Sequence, residues 1–492
     1  MEFLDEQAKR QRTVRLFTAY ALIAIIILMA SFLLVYLAQG YGYSTQKGVV
    51  QNGLVFINSN PISSTITIDG ISRGNTDLRT VLPEGKHTVE LKKANYRSWS
   101  KSFNLDGGSV LYFSYPILFP QNITVGVNKV FATLPALASQ SLNRHWLIVQ
   151  AQGSLPNLTL FDLQKPDDEP KNIIIPASIL YFQGNNIGTL KALDWSDDNR
   201  HLLLSETMAD GRVAYLLIDR QDINQSINLT EQLQLASGDL LALRNKKYDT
   251  YYVHNMATGV LKKADLKNGL SPNPTLAGVV QYKSHGDDLI FYVTYDGAKS
   301  NEAKLFVLNK QSKFQLKSLV RDVNNTYLLN MSTYQNNWQY VAGSISGNKI
   351  FIFRNPLNRD KPNNKTLIVP QMSLNFDNPK FATFSNNTRF ISVQSGKKFI
   401  VYDIEQNSLY KFESSYNIRP DQQAVWMDGH RLSVVTDSKV RVFEFDGANQ
   451  QTLTPSRDEF APYFDRDYTH IYTLIPQADG KIGFESGKLV AN

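Results

Sequence analysis

The fold is decided by the stretch 195–204, WSDDNRHLLL, together with the stretch 214–219, AYLLID, that follows it. In the first stretch a polar turn of Ser, Asp and Asn leads into three leucines, and the second is an apolar run that ends on Asp219. Ser, Asp and Asn favour turns, and short apolar runs between such turns indicate buried strands. The same phrase returns at 384–391, FSNNTRFI, followed by 399–403, FIVYD. The repetition predicts a repeated antiparallel unit.

Weaker copies of the phrase extend over residues 122–492. Together with the two clear copies they give eight anchor residues, each expected to enter the first strand of a repeat: Trp146, Leu202, Tyr251, Leu289, Tyr340, Phe390, Leu432 and Ile471. The anchors lie on average about 46 residues apart, which is the length that a four-stranded blade and its turns require. We therefore predict a β-propeller of seven or eight blades, with eight favoured by the number of anchors. An irregular pair of β-sandwiches is the alternative, and the even spacing argues against it.

The repeated phrase resembles the blades of TolB-like and WD40-like propellers, in which a similar aromatic-Ser-x-Asp turn precedes an apolar strand. Only 195–204 and 384–391 match well, and the Gly-His and Trp-Asp signatures of WD40 repeats are missing. The resemblance implies a propeller architecture and identifies no ligand.

Residues 53–119 form a separate module of short strands and tight turns. The run Thr65-Ile-Thr-Ile68 alternates with a period of two and ends at Asp69-Gly70, which is a strong hairpin signal. Further turns are expected at 73–76 and 82–86, and further strands at 54–57, 87–92 and 110–113. About six short strands in so short a segment predict a small antiparallel β-sandwich.

This module resembles the PEGA domain, a family of small β-sandwiches in bacterial surface and membrane-attached proteins. The resemblance rests on Gly53-x-Val55-x-Ile57-x-Ser59-x-Pro61, Ile68-Asp69-Gly70-x-x-x-Gly74-x-Thr76 and Leu82-Pro83-x-Gly85-x-His87. The tetrad that names the family reads Pro61-Ile62-Ser63-Ser64 here, so the resemblance implies the fold and no binding role for the tetrad. His87 is expected to be a strand histidine that is hydrogen-bonded beside the turn.

Residues 16–38 form a charge-free apolar stretch that we expect to be a transmembrane helix. A helix of this length reaches roughly 34 Å, enough to cross a hydrocarbon core of about 30 Å. Residues 1–15 contain Lys9, Arg10, Arg12 and Arg15, and basic residues beside a span stay in the cytoplasm. We therefore expect a cytoplasmic N-terminus, a lipid-embedded span at 16–38, a flexible linker at 39–52 and both β modules outside. A cleaved signal peptide is the alternative, and its apolar core would be shorter.

Composition excludes several classes of function. The chain has no cysteine, so disulfides, zinc thiolate sites and thiol catalysis are excluded. The net charge of +7 is spread along the chain with no basic run outside the membrane flank, so we expect no nucleic-acid partner.

The sequence shows no motif of known catalytic or cofactor chemistry. The Gly-x-Ser-x-Gly elbow, the His-Glu-x-x-His zinc motif, the phosphate-binding loop and the calcium loop are all missing. His145, His201 and His470 each precede a repeat strand, where Arg389 and Arg431 stand in other copies, so a structural role is expected. The aspartates Asp194, Asp197, Asp198, Asp465 and Asp467 are interpreted as turn residues. We therefore predict no catalytic, cofactor-binding or metal-binding residues.

The favoured function is a non-enzymatic, membrane-anchored protein that displays a propeller outside the cell for binding a protein or an envelope glycan. A structural surface-layer or spacer component that self-associates is one alternative. A propeller lyase or hydrolase with an unrecognised site is the other. The sequence leaves open the ligand, the binding face and the oligomeric state.

Overall fold

The structure is a computed structural model, and it describes residues 6–38, 40–44, 48–153, 155–183, 186–357 and 368–490. The chain divides near residue 122 into two compact units. The first unit contains a long helix and a β-sandwich, and the second unit is a β-propeller. The mostly β fold class predicted from the sequence is confirmed.

The helix α1 (Glu6–Ala38) covers the predicted span at 16–38 and begins earlier, in the basic flank. Lysine and arginine are good helix formers, so the flank extends the helix. The part Lys9–Tyr36 is long and apolar enough to cross a membrane, and its most apolar window is not buried against the rest of the protein. At the end of this part, the ring of Tyr36 stacks with the ring of Tyr41, with centroids 4.7 Å apart.

The described residues of the first unit form eight strands after the helix. They are β1 (Tyr41–Ser44), β2 (Gly48–Ile57), β3 (Thr65–Ile68), β4 (Ile71–Asn75), β5 (Leu78–Pro83), β6 (Gly85–Lys92), β7 (Trp99–Leu105) and β8 (Val110–Phe113). In one sheet β1, β5 and β8 all pair with β2, and the other sheet has the order β4-β3-β6-β7. The core between the sheets includes Val55, Ile57, Ile66, Val89 and Trp99.

Two segments of this unit differ from the expectation. Residues 39–52 were expected to be a linker, but their described part forms β1 and the first half of β2, paired from Tyr41 opposite Gln51 to Ser44 opposite Gly48. Residues 73–76 were expected to be a turn, but most of them belong to β4. Gly74 adopts a φ of 106° at a register shift in the β3–β4 pair, and a bulge of this kind admits turn residues into a strand.

The propeller begins with β9 (Val125–Phe131). Sheet 1 contains β10 (Pro135–Gln140), β11 (Trp146–Ala151), β12 (Asn157–Asp162) and β13 (Lys171–Ile174). A short hairpin, β14 (Phe182–Gln183) and β15 (Asn186–Ile187), precedes sheet 2, which contains β16 (Thr189–Trp195), β17 (His201–Thr207), β18 (Val213–Asp219) and β19 (Ile227–Asn228). After the helix α2 (Leu229–Gln232), sheet 3 contains β20 (Asp239–Leu243), β21 (Thr250–Asn255), β22 (Val260–Asp265) and β23 (Gly269–Leu270). Sheet 4 contains β24 (Val279–His285), β25 (Leu289–Thr294), β26 (Glu302–Asn309) and β27 (Ser312–Val320).

The second half repeats the arrangement. Sheet 5 contains β28 (Tyr327–Tyr334), β29 (Asn337–Ser344), β30 (Lys349–Arg354) and β31 (Met372–Asn375). Sheet 6 contains β32 (Phe381–Phe384), β33 (Phe390–Ser395), β34 (Lys398–Asp403) and β35 (Ser408–Glu413). Sheet 7 contains β36 (Val425–Trp426), β37 (Arg431–Thr436), β38 (Lys439–Glu444) and β39 (Gln451–Pro455). Sheet 8 contains β40 (Tyr463–Phe464), β41 (His470–Pro476), β42 (Ile482–Lys488) and, as its outer strand, β9.

The two ends of the propeller module meet in sheet 8. Strand β9 pairs antiparallel with β42, with Phe131 opposite Ile482, so the first strand of the module completes its last sheet. Side chains join sheet 8 to sheet 1 as well: Gln140 donates from Nε2 to the carbonyl oxygen of Phe464 at 2.8 Å. These contacts close the ring.

The eight anchor residues all lie in the second strand of a sheet, which corrects the expectation that they enter the first. Second strands such as β11, β17 and β33 are buried along most of their length. First strands such as β16 and β32 are half exposed and less uniformly apolar. A strand buried on both faces reads as a continuous apolar run, so the second strands dominate the sequence signal.

Candidate binding site

Basic residues at the start of second strands pair with aspartates of the same sheet. In sheet 2, Arg200 donates from Nε to both carboxylate oxygens of Asp219, at 2.8 and 2.9 Å. In sheet 6, Arg389 makes the same contact with Asp403, at 3.1 and 3.2 Å. Asp219 and Asp403 are buried and end the third strands β18 and β34. Bidentate pairs fix geometry, so these contacts hold the second and third strands together.

The three histidines singled out in the sequence occupy similar positions in three different sheets. Each lies within hydrogen-bond distance of a carboxylate of its own repeat: His145 Nε2 is 2.9 Å from Asp162 Oδ1, His201 Nδ1 is 2.7 Å from Asp198 Oδ2, and His470 Nδ1 is 3.1 Å from Asp465 Oδ2. The structure therefore gives each imidazole a local partner and does not bring the three together.

The acidic turn of sheet 2 is also engaged by its own surroundings. Asp194 accepts a hydrogen bond from Lys246 Nζ at 2.6 Å. Burial acts to raise the pKa of Asp198, but hydrogen bonds from the Ser196 hydroxyl and the Arg200 N–H outweigh it and lower the pKa below its usual value. Among the residues that the structure describes, no group of three or more His, Asp or Glu side chains could hold a metal ion.

Several second strands carry a polar side chain near their C-terminal end. This side chain hydrogen-bonds with the backbone at the start of the next sheet. In sheet 3, His254 Nε2 is 2.9 Å from the carbonyl oxygen of Val279, the first residue of β24, and burial lowers the pKa of His254. In sheet 6, the Oε1 atom of Gln394 accepts from the N–H of Ala424 at 2.8 Å, directly before β36. These contacts tie neighbouring sheets together.

In sheet 2, Glu206 binds the segment that leads from sheet 1 into β16. Its carboxylate accepts hydrogen bonds from the N–H groups of Tyr181 at 3.0 Å and Gly188 at 3.3 Å. Burial raises the pKa of Glu206, and the two backbone hydrogen bonds only partly oppose this. The buried carboxyl group thus holds the segment before β16 in place.

Gln150 in sheet 1 departs from this pattern. It is 3% exposed and lies near the end of β11, at the position corresponding to Gln394, but its Oε1 atom has no hydrogen-bond partner. It faces a cavity of about 430 Å³, which is also lined by Ala136, Gln152, Gly153, Leu155, Gly188, Thr189 and Leu190. Ligand pockets typically measure about 300–1,000 Å³, and an unpaired buried acceptor requires an explanation. This cavity is the candidate binding site.

The described residues that line the cavity are uncharged. Amides and the Thr189 hydroxyl supply its polar groups, and Leu155 and Leu190 supply apolar surface. Gly188 is needed in its wall, because a Cβ atom there would lie 2.6 Å from Glu206 Cγ. The site suits an uncharged ligand with hydrogen-bond donors, since an ion would lose its hydration without a counter-charge.

Several polar side chains of the sandwich form hydrogen bonds within it. His87 Nδ1 is 2.6 Å from Asp69 Oδ2, and His87 Nε2 is 2.7 Å from the carbonyl oxygen of Pro83, so the histidine lies beside the turn and braces it. Around the altered tetrad, buried Ser59 lies 3.1 Å from Ser64 Oγ and 2.8 Å from Thr76 Oγ1. These hydroxyls satisfy one another inside the fold.

Sequence reasoning missed Gln150. The available signal was positional: second strands such as WLIVQ at 146–150 and FISVQ at 390–394 carry a polar residue near their ends. Gln150 and Gln394 are the same residue type, and only the structure shows that the Gln394 amide is hydrogen-bonded whereas the Oε1 atom of Gln150 has no partner.

No curated protein is significantly similar to the chain in sequence. Among solved structures, the chain is similar to the C-terminal WD40 domain of Sif2, with 11% identity over 73% of this chain and 100% of that domain and a TM-score of 0.43. It is also similar to a protein of unknown function from Desulfotomaculum acetoxidans, with 13% identity over 63% of this chain and 100% of that chain and a TM-score of 0.37. These likenesses say nothing about ligands.

The sandwich has a family assignment. Residues 52–117 match the family model of the PEGA domain. The match covers β3 to β8 and most of β2, and it confirms the resemblance identified from the turns and strands of the sequence. The first unit of this chain therefore contains a PEGA domain.

Proposed function

We propose that this protein is a membrane-anchored, non-enzymatic binding protein that holds an uncharged group of an envelope glycan in the cavity beside Gln150. The observation that carries the proposal is the unpartnered, buried Oε1 atom of Gln150. A buried acceptor without a donor costs about 1–3 kcal/mol, which a bound donor would recover. The pairing of Arg200 and Arg389 with buried aspartates, and of three histidines with nearby carboxylates, supports a binding role over catalysis.

A glycan suits the cavity better than an ionic ligand. Sugar hydroxyl and acetamido groups donate hydrogen bonds without charge, and Gln150, Gln152 and Thr189 offer amide and hydroxyl partners. A protein partner would present a neutral side chain to the same acceptor, and the experiment below separates the two.

The anchor completes the proposal. The helix α1 crosses the membrane with Lys9, Arg10, Arg12 and Arg15 on the cytoplasmic side, as the positive-inside rule requires. The PEGA domain and the propeller then lie outside the cytoplasm, and each of the eight propeller sheets is one blade. A protease added to intact cells should remove the propeller; protection until lysis would refute this topology.

The binding proposal is tested with the full chain in detergent micelles on an array of neutral and acidic glycans. Gln150→Leu should weaken capture of neutral glycans about tenfold, the value of one lost hydrogen bond and its desolvated partner. Gln339→Leu is the matched control, because Gln339 is a buried glutamine with both amide atoms unpartnered that does not line the cavity. An array without a single neutral glycan captured, or equal losses in both variants, would refute the proposal. In either case, capture of a protein that depends on Gln150 would identify a protein ligand instead.

A further inference from the structure

The PEGA sandwich has two outer faces of very different character. In the sheet β4-β3-β6-β7, the outward side chains of β3, β6 and β7 alternate with core residues and are polar: Thr65, Thr67, Lys86, Thr88, Glu90, Lys92, Ser100, Ser102 and Asn104. This face is of the kind that water solvates.

The outward face of the other sheet is apolar where β5, β2 and β8 lie side by side. We call this surface the apolar face; it consists of Leu54, Phe56, Arg79, Val81, Val110 and Tyr112. Val81, Val110 and Tyr112 are 60%, 50% and 61% exposed. Single exposed apolar residues are normal on a protein surface, whereas a contiguous group of them marks an interaction surface.

The side chains of the apolar face form two rows across the three strands. In one row Val81 and Val110 flank Leu54. In the other row Arg79 and Tyr112 flank Phe56: the Arg79 guanidinium lies 5.8 Å from the Phe56 ring centroid, and the Phe56 and Tyr112 rings stack with centroids 4.7 Å apart. This second row therefore begins with a cation and ends with an exposed aromatic ring.

We infer that the apolar face is the contact surface for a second copy of this chain, related by a two-fold axis parallel to β2. Such an axis exchanges the two ends of each row while leaving the middle residue on the axis. Arg79 then meets Tyr112 of the partner subunit, and Val81 meets Val110 of the partner subunit. An isologous contact requires this kind of self-complementarity.

Charge favours a second copy as the occupant. Arg79 is the one charged side chain of the apolar face, and no acidic residue belongs to it. In the two-fold arrangement the two Arg79 side chains stay apart, and each gains a cation–π contact with an aromatic ring. The axis also keeps the strand directions of both copies parallel, which two chains anchored in one bilayer can satisfy. The inference is independent of the glycan site.

Cysteine crosslinking of the full chain tests the register directly, because the natural sequence has no cysteine. Chains with Val81→Cys and chains with Val110→Cys are co-expressed in membranes and oxidised. The mixture should form disulfide-linked dimers several-fold more readily than either variant alone, since residue 81 faces residue 110 across the axis. Ile71→Cys, which is 58% exposed on β4, is the matched control and should not crosslink. Equal crosslinking in the Ile71→Cys chain would overturn the inference.

A charge variant provides a second readout. Val81→Glu should weaken dimerisation in nanodiscs about tenfold, because it buries a carboxylate in the contact, whereas Ile71→Glu should not. Monomers whose cysteine at position 81 is shielded by lipid would also overturn the inference, since the bilayer would then be the occupant.

Discussion

Replacing Phe131 with alanine should separate the two ends of the propeller. Phe131 lies in β9, the strand that completes sheet 8, and only 5% of its surface is exposed. It packs in one cluster with Leu147 and Phe161 of sheet 1 and with Tyr472 of sheet 8. The side chain thus joins the sheets at which the ring closes.

The expected cost follows from the burial of the side chain. Removing a buried phenylalanine ring typically costs about 3–5 kcal/mol, because apolar transfer energy is lost and a cavity remains. The ring of Phe161 lies 6.4 Å from that of Phe131 by centroids and belongs to a different sheet, so collapse around the cavity would require the sheets to move together. We therefore expect the full cost to appear in the unfolding free energy of the propeller.

Val127 offers a control on the same strand. It is 54% exposed, and Val127→Ala should change the unfolding free energy by less than about 0.5 kcal/mol. Urea unfolding followed by tryptophan fluorescence compares the two variants, and hydrogen exchange reports on β42, the partner strand of β9. The β42 amides should exchange faster in Phe131→Ala alone. Equal unfolding free energies for the two variants, or unchanged exchange in β42, would refute the closure argument.

Three further changes test the pairs inside the sheets and the wall of the cavity. Arg389→Met should cost about 2–4 kcal/mol in urea unfolding because it leaves its buried aspartate partner without a counter-charge, whereas exposed Lys398→Met should cost at most about 1 kcal/mol; equal costs would contradict this. The pKa values of Asp198 and Asp465 are lowered in the folded state, so their stabilisation is present above the unfolded pKa and is lost as the pH falls through the folded one; the midpoint of thermal unfolding should drop below about pH 4, and a flat profile there would count against these pairs. Gly188→Ala should cost about 1–3 kcal/mol through overpacking in the cavity wall and should weaken glycan capture in parallel, and a variant with unchanged stability would show that the wall can relax.

The repeated sheets of the propeller could be predicted from the sequence, because each contains a strand that is buried along most of its length. The second strands of the propeller sheets are buried on both faces, so their apolar runs stand out at regular intervals. The first strands gave no comparable signal: Thr189, Lys191 and Leu193 of β16 are exposed although they alternate with core residues. A half-exposed strand with mixed residues resembles a loop when only its letters are read.

The apolar face of the sandwich could not be predicted, because the segment of its central strand at 54–57 contains only apolar residues. The run Leu54-Val-Phe-Ile57 has no polar residue at all, so its period of two is invisible. In the structure Val55 and Ile57 are in the core, whereas Leu54 and Phe56 point outward beside Val81 and Tyr112. A continuous apolar strand indicates burial on both faces. In β2 the outer face is buried only if a partner covers it, and the second copy in the proposed dimer would do so.

Repeats help to separate scaffold from function, because the same position can be compared several times within one chain. Gln394 and Gln150 are the same residue type near the ends of equivalent strands. Gln394 donates to the carbonyl oxygens of Gly396 and Gln422 and accepts from the N–H of Ala424. Both ends of its amide are therefore hydrogen-bonded, and they link sheet 6 to the segment before sheet 7. Gln150 has the same capacity, but its buried Oε1 atom has no hydrogen-bond partner and the residue lines a cavity. The departure of one copy from a contact that other copies make is therefore a stronger argument for a ligand than residue type alone.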